Sequence, residues 1–482
     1  MARTAPAPTS TPDASTAAAT RSGAASSPLP DAELRALLQR AVCWLDEPAH
    51  ARTCLPPNAG GLDAIGALGR AGDARAIWPL VDLLWVDVGW RADVLAALTR
   101  LTGEALPDAR AWSTFAATRW RAGTPPGYAA WKAALLALTS TPEQAPTFAQ
   151  LLARLDAAEA DAALLGRLVW TGVQPNASRP LTDPPHVERE RQRYLADGDV
   201  VYGVVVGEEA RAYPERIVAW HGVVHDTLGA TPIVLAHCLP CGGAAVYGYP
   251  ANSSERPRAG TAGLALDGRS LLFEEGSLAL WDALSGARVA PGAEASAPLK
   301  ARVPVFVTTW ADWAARHPET TVLTLDTGVV RDYASGAAVR DELATREPRF
   351  SALPGGALAG NAPPGKEPVL GVLAGSEARA YPLALLARRR MVQEQLGGRG
   401  VLVLNEGAGL AAAAYDIGAL RFTGVEGSGR DFFAIDEGGE HWAMREHALV
   451  HTVHGGELPA LPRLQAYWFA WWGLHPQSTV LE

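Results

Sequence analysis

The feature that most constrains this chain is a passage written twice. Gly203-Val204 followed by Glu209-Ala210-Arg211-Ala212-Tyr213-Pro214 returns 168 residues later as Gly371-Val372 and Glu377-Ala378-Arg379-Ala380-Tyr381-Pro382. Trp310, Trp313, His317-Pro318 and Thr321-Val322-Leu323 return as Trp468, Trp471, His475-Pro476 and Thr479-Val480-Leu481. Stretches that repeat in the same order are expected to fold alike, which predicts an internal duplication. The short β-branched runs at 200–206, 231–235 and 244–247, bounded by Gly, Pro and Asp, read as strands. The two copies are therefore expected as homologous, strand-rich α+β lobes. The His-Pro pairs, common to both copies, read as packing residues.

A chain of 482 residues has room for more than two lobes. After Asp31 and Glu33 the apolar residues Leu34, Leu37, Leu38 and Val42 recur at helical spacing, and that periodicity continues to about residue 168. Helix pairs are predicted at 60–72 with 73–84 and at 91–106 with 108–120, and the first pair resembles a HEAT-type repeat. The expected fold is thus multidomain: a tail at 1–30 of Ala, Thr, Ser and Pro, an all-α helical-repeat domain at 31–165, a first lobe at 166–340, a linker at 341–365, and a second, degenerate lobe at 366–482. With 48% hydrophobic and 19% charged residues the chain lies far from the composition of disordered proteins. Net charge is −9, from 42 basic against 51 acidic residues with no basic run, so nucleic acid is not an expected partner. No run of about 18 apolar residues predicts a membrane span, and no secretory leader is legible at the start, which points to the cytoplasm. Of four cysteines, Cys43 and Cys54 read as buried thiols; Cys238 and Cys241 have a spacing that belongs to chemistry.

The repeat isolates that chemistry. At the 168-residue offset His237, Cys238 and Cys241 face Asn405, Glu406 and Gly409, and His221 and His225 face Arg389 and Gln393. A fold built again without these side chains does not need them. Cys238-Leu239-Pro240-Cys241-Gly242-Gly243 lies between two predicted strands, without the helix that follows a thioredoxin-type dithiol, and so reads as a metal knuckle. Residues 215–226 can form a short helix on which His221 and His225 share a face, completing a Cys238, Cys241, His221, His225 shell for copper or zinc. His237 precedes Cys238 on a strand and points the other way, as a base candidate. A redox disulfide and an inert pair of buried thiols are the alternatives. His441, His447, His451 and His454 read first as a surface group, with a second metal site as the alternative; His447 and His451 would share a helical face. The phosphate-loop spacing at 360–366 lacks the following Ser or Thr and carries Pro363-Pro364, so it is set aside.

Glu209 to Pro214, Trp220-His221, Asp226-Thr227, Cys238-x-x-Cys241-Gly242 and Trp310 to Leu323, followed by Asp326-Thr327-Gly328 and Arg331-Asp332-Tyr333, resemble a prokaryotic family known as domain of unknown function 3179, over about 168–482. The resemblance implies membership and no established reaction. His221, Cys238 and Cys241 fall at matching positions. The family more usually has Tyr and Pro where this chain has His237 and Leu239, and Glu and Asn where it has Gly222 and His225. Its members are often exported, in contrast to the compartment read from the chain. The expected function is a metal-dependent, redox enzyme acting on a small molecule or modified peptide, with His237 and Asp226 as catalytic groups and the helical repeat as a surface for a protein partner. A metal carrier and a structural knuckle are the competing readings.

Overall fold

The computed structural model describes residues 28–42, 59–87, 89–119, 123–140, 145–157, 162–249, 258–290, 302–350, 363–406 and 410–482. Cys43, Cys54, most of the expected tail and the middle of the expected linker lie outside the described residues.

The N-terminal segment is helical and the remainder is rich in strands. Helices occupy Asp31–Ala41, Ala59–Ala71, Ile77–Val86, Arg91–Thr102, Ala109–Arg119, Tyr128–Ala137 and Ala145–Ala157. Leu34, Leu37 and Leu38 are buried along one stripe of the first helix, as the spacing requires. Asp73 punctuates the next pair, its carboxylate accepting from the amides of Leu29 and Arg75 at 3.0 Å each. Gly103, left-handed at φ 76°, ends the helix Arg91–Thr102. None of the helices among the described residues is long and apolar enough to cross a membrane.

A buried cluster fastens the helices to the strand-rich region. Lys132 Nζ lies 2.7 Å from Asp82, which also accepts from the Tyr128 hydroxyl at 2.5 Å. The same ammonium donates to the carbonyls of Leu165 and Leu168 at 2.9 and 2.6 Å, where the chain enters its first strand, Leu168–Trp170. The helical core runs without a break into Ala262, Leu264, Leu271 and Phe273 of the sheet that this strand begins.

Beyond Leu168 the described strands form six sheets. Val200–Val206 pairs antiparallel with Glu209–Pro214, placing Gly203 opposite Ala212, and Pro368–Ala374 pairs with Glu377–Pro382, placing Gly371 opposite Ala380. A short helix follows each pair, Glu215–His221 and Leu383–Arg389. Then come the strands Val223–Leu228, Thr231–Cys238 and Gly243–Gly248 in one case, and Met391–Leu396, Arg399–Asn405 and Ala412–Asp416 in the other.

Each tryptophan helix stands against its own strand pair and also shares a core with the other group of sheets. Trp310 and Trp313, on the helix Trp310–Arg316, share a core with Leu402, Tyr415 and Trp442, while Trp468 and Trp471, on the helix Trp468–Leu474, share one with Cys238, Cys241 and Leu284. The two indoles sit alike: a Cβ on Gly203 would come within 2.1 Å of Trp313, and one on Gly371 within 2.1 Å of Trp471. His317 and His475 lie tilted against these indoles, with ring centres 4.1 and 4.3 Å apart.

Two expected helices are corrected. The helix predicted over 215–226 stops at His221: Gly222 turns left-handed at φ 69°, and Val223-Val224 starts a strand that carries His225. The segment with His447 and His451 is also extended, in strands His441–Met444 and Ala448–His451.

Candidate functional site

Cys238 ends one strand, Gly243 begins the next, and Leu239–Cys241 between them form a single 3-10 turn closed by Gly242 at φ 62°. That turn brings the cysteine Cα atoms to 5.2 Å, and the two sulfurs are joined as a disulfide. Both cysteines have no exposed surface. Ser270 offers Cys238 Sγ its amide at 3.3 Å and its hydroxyl at 3.4 Å. The strand Arg463–Tyr467 of the other lobe closes the opposite side so tightly that a Cβ on Gly242 would lie 2.7 Å from the Tyr467 ring, and one on Gly243 2.4 Å from the Gln465 carbonyl. The Gly-Gly pair after the second cysteine is therefore a point of close approach between lobes.

Beside this turn runs a buried polar chain. Tyr202 donates its hydroxyl proton to Glu215 at 3.0 Å and so must accept from His237 Nε2, also at 3.0 Å. His237 Nδ1 is left as a bare acceptor with no partner among the described residues, in a residue only 3% exposed. Burial pushes the His237 imidazole down to about 3 and raises the Glu215 carboxyl, against the opposing effect of the Tyr202 hydrogen bond. Tyr467 is raised to about 12 by burial, with the charges of Glu215 and Glu342 adding to the effect. Lys366 lies over the Tyr467 ring at 5.1 Å and pairs with Glu342 at 2.6 Å.

The other expected site residues are engaged elsewhere. His221 Nδ1 donates to the Arg179 carbonyl at 2.7 Å, and Nε2 accepts from the Tyr333 hydroxyl at 2.6 Å, which in turn lies 2.7 Å from Thr327 Oγ1. Burial lowers the pKa of this imidazole. His225 Nε2 donates to the Ala259 carbonyl at 2.9 Å. The shell of Cys238, Cys241, His221 and His225 is thus not assembled, and among the described residues no group of three or more His, Cys, Asp or Glu side chains stands together as a metal ion requires. Asp226 accepts from Arg211 and Tyr213 at 2.7 Å each, and Glu394 repeats the arrangement with Tyr381 at 2.5 Å and Arg379 at 3.1 Å. The same kind of network thus stands at both strand pairs, Glu209–Pro214 and Glu377–Pro382. Of the distal histidines, His451 and His454 stack at 3.5 Å beneath Trp442, His441 bonds Glu426 at 2.5 Å, and His447 stands apart beside Glu457.

Sequence reasoning missed Tyr202 and Glu215. The signal was available: 168 residues on, they face Leu370 and Leu383, as His237 faces Asn405.

A family model described as "Protein of unknown function (DUF3179)" matches residues 178–478. The chain belongs to this family. The DUF3179 match spans both lobes and leaves the N-terminal helices outside it. Comparison with the curated proteins and with the solved structures found no match to the chain.

Proposed function

We propose that this protein is a thiol-disulfide redox protein whose centre is Cys238–Cys241, with Glu215, Tyr202 and His237 as a buried acid-base chain beside it. One observation carries the reading: the disulfide and the polar chain start from adjacent residues of one strand, Cys238 and His237, and none of their five side chains recurs 168 residues on. Reduction takes two electrons and two protons from an external small-molecule dithiol or a thiol-bearing peptide. The protein disulfide becomes two thiols and the donor becomes a disulfide. Burial, which raises the Glu215 carboxyl, makes it a readier proton holder than an exposed carboxylate. Domain limits at 31–165, 166–340 and 366–482, the descent of the two lobes from one duplicated unit, and the HEAT-type nature of the helices as a docking surface for a protein partner form part of the proposal.

A metal reading stands second. The reduced pair would offer two sulfurs on a glycine-closed turn with the Ser270 amide aimed at one of them, a donor set that suits copper(I) better than zinc. The wider shell with His221 and His225 does not fit, because their ring nitrogens serve carbonyl and hydroxyl partners.

The test is anaerobic equilibration of the full, folded chain with mixtures of reduced and oxidised dithiothreitol, followed by alkylation and peptide mapping. Cys238 and Cys241 are expected to become alkylated together in one reversible two-electron transition, with the circular dichroism spectrum unchanged. Alkylation that appears only after denaturation would reduce the pair to a structural clasp and end the redox reading. Copper(I) bound by the reduced wild type and lost in Cys238→Ser would support the second.

A further inference from the structure

A cavity of about 250 Å³ opens between the lobes, where the strands Gly243–Gly248 and Val305–Thr309 meet Arg463–Tyr467. Its walls are apolar on most sides, with Val303, Val305, Leu370 and Leu461. Its polar lining is of one kind: Arg302, Arg463, His447 and Gln465, with no carboxylate.

The two arginines are short of partners. Arg463, half-buried, donates once, to the Glu446 carbonyl at 2.9 Å; Arg302, exposed, donates once, to the Leu284 carbonyl. Neither forms an ion pair among the described residues. The acidic groups acting on Arg463 are Tyr415 and Glu446, and the Glu446 carboxylate is already bonded to His317 at 2.9 Å. A guanidinium at a cavity wall with one neutral acceptor leaves most of its donor fork unused by the protein, an arrangement that a planar bidentate anion completes. The charge is also not demanded by the fold. Five residues before each recurring tryptophan, Arg463 stands where the first lobe has Val305, and Gln465 stands where it has Val307.

We propose that this cavity is a binding site for a small organic acid, its carboxylate taken by Arg463 and Arg302 and its apolar body lying against Val303, Val305 and Leu461. The volume, at the lower end of small-molecule sites, limits the ligand to a compact monocarboxylate. The site shares a strand with the cysteine turn and does not depend on redox activity there.

The experiment is calorimetric titration of the full chain with acetate, hexanoate and benzoate, with benzamide as the neutral isostere and inorganic phosphate as the anion without an apolar body. Saturable binding of benzoate or hexanoate is expected, with none of benzamide or phosphate. Arg302→Gln, at an exposed position where folding is not at stake, is expected to weaken binding about tenfold, and Arg463→Lys, which keeps the charge and loses the fork, by at least as much. The proposal is overturned by absence of binding across the carboxylates, by equal binding of benzamide, by phosphate binding in their place, or by affinities untouched in both variants. Thiol titration of Arg302→Gln alongside separates this result from the fate of the redox reading.

Discussion

At the scale of single residues, His237 couples the buried chain to pH. Its folded pKa of about 3 lies below the ordinary 6.5, so between those values the unfolded chain binds a proton that the folded protein refuses. Stability is then lost as pH falls from 6.5 toward 3, at up to about 1.4 kcal/mol per pH unit. Glu215 works in the other direction: its raised pKa gives stability that is present at low pH and fades as pH rises through the folded value. The comparison of wild type with His237→Asn, the residue the second lobe carries at Asn405, isolates the histidine. Thermal melts from pH 4 to 7 should give a shallower acid slope in the variant; parallel slopes would mean the imidazole is not the group responsible. The within-chain comparison that singled out His237 and the cysteines was available for Tyr202 and Glu215 as well. It was missed because neither residue type announces chemistry until it is seen bonded to a histidine.

At the scale of elements, the strand pairs and their tryptophan helices are the repeated construction, and two glycines test it. A methyl group on Gly203 or on Gly371 would come within 2.1 Å of the ring of Trp313 or Trp471, far inside van der Waals contact, with no flexible side-chain end to yield. Gly203→Ala and Gly371→Ala should each destabilise by roughly 1–3 kcal/mol or more through overpacking. Denaturant midpoints would check this, and a neutral result at either site would show that its indole is free to move. The helices of the N-terminal segment were legible because their apolar spacing is local; so were the strand pairs, through their β-branched runs. Two histidine pairs misled for an equally local reason. His221 with His225, and His447 with His451, are four apart, which matches a helical face, yet Gly222 and the Val223-Val224 run outweigh that coincidence in the first case. In the second, hairpin pairing of Ala443 with Val450 sets the conformation.

At the scale of the whole molecule, two long-range arrangements decide the architecture, and neither has a local signature. One is the Lys132 clasp, which joins Asp82 in the helices to carbonyls at the entry to the sheets. Lys132→Met strands a buried Asp82 carboxylate and should cost about 3–5 kcal/mol. Lys132→Met combined with Asp82→Leu, which removes both charges, should recover much of that loss, and chemical denaturation of the pair of variants would show whether it does. The other is the packing of the second tryptophan helix and the residue before it onto the cysteine turn, with Tyr467 against Gly242 and Trp468 in one core with both cysteines. During synthesis, chains fold progressively from the N-terminus. The cysteines leave the ribosome long before the segment that covers them, so their sulfurs meet the surrounding medium throughout the intervening translation, before the last described helix docks.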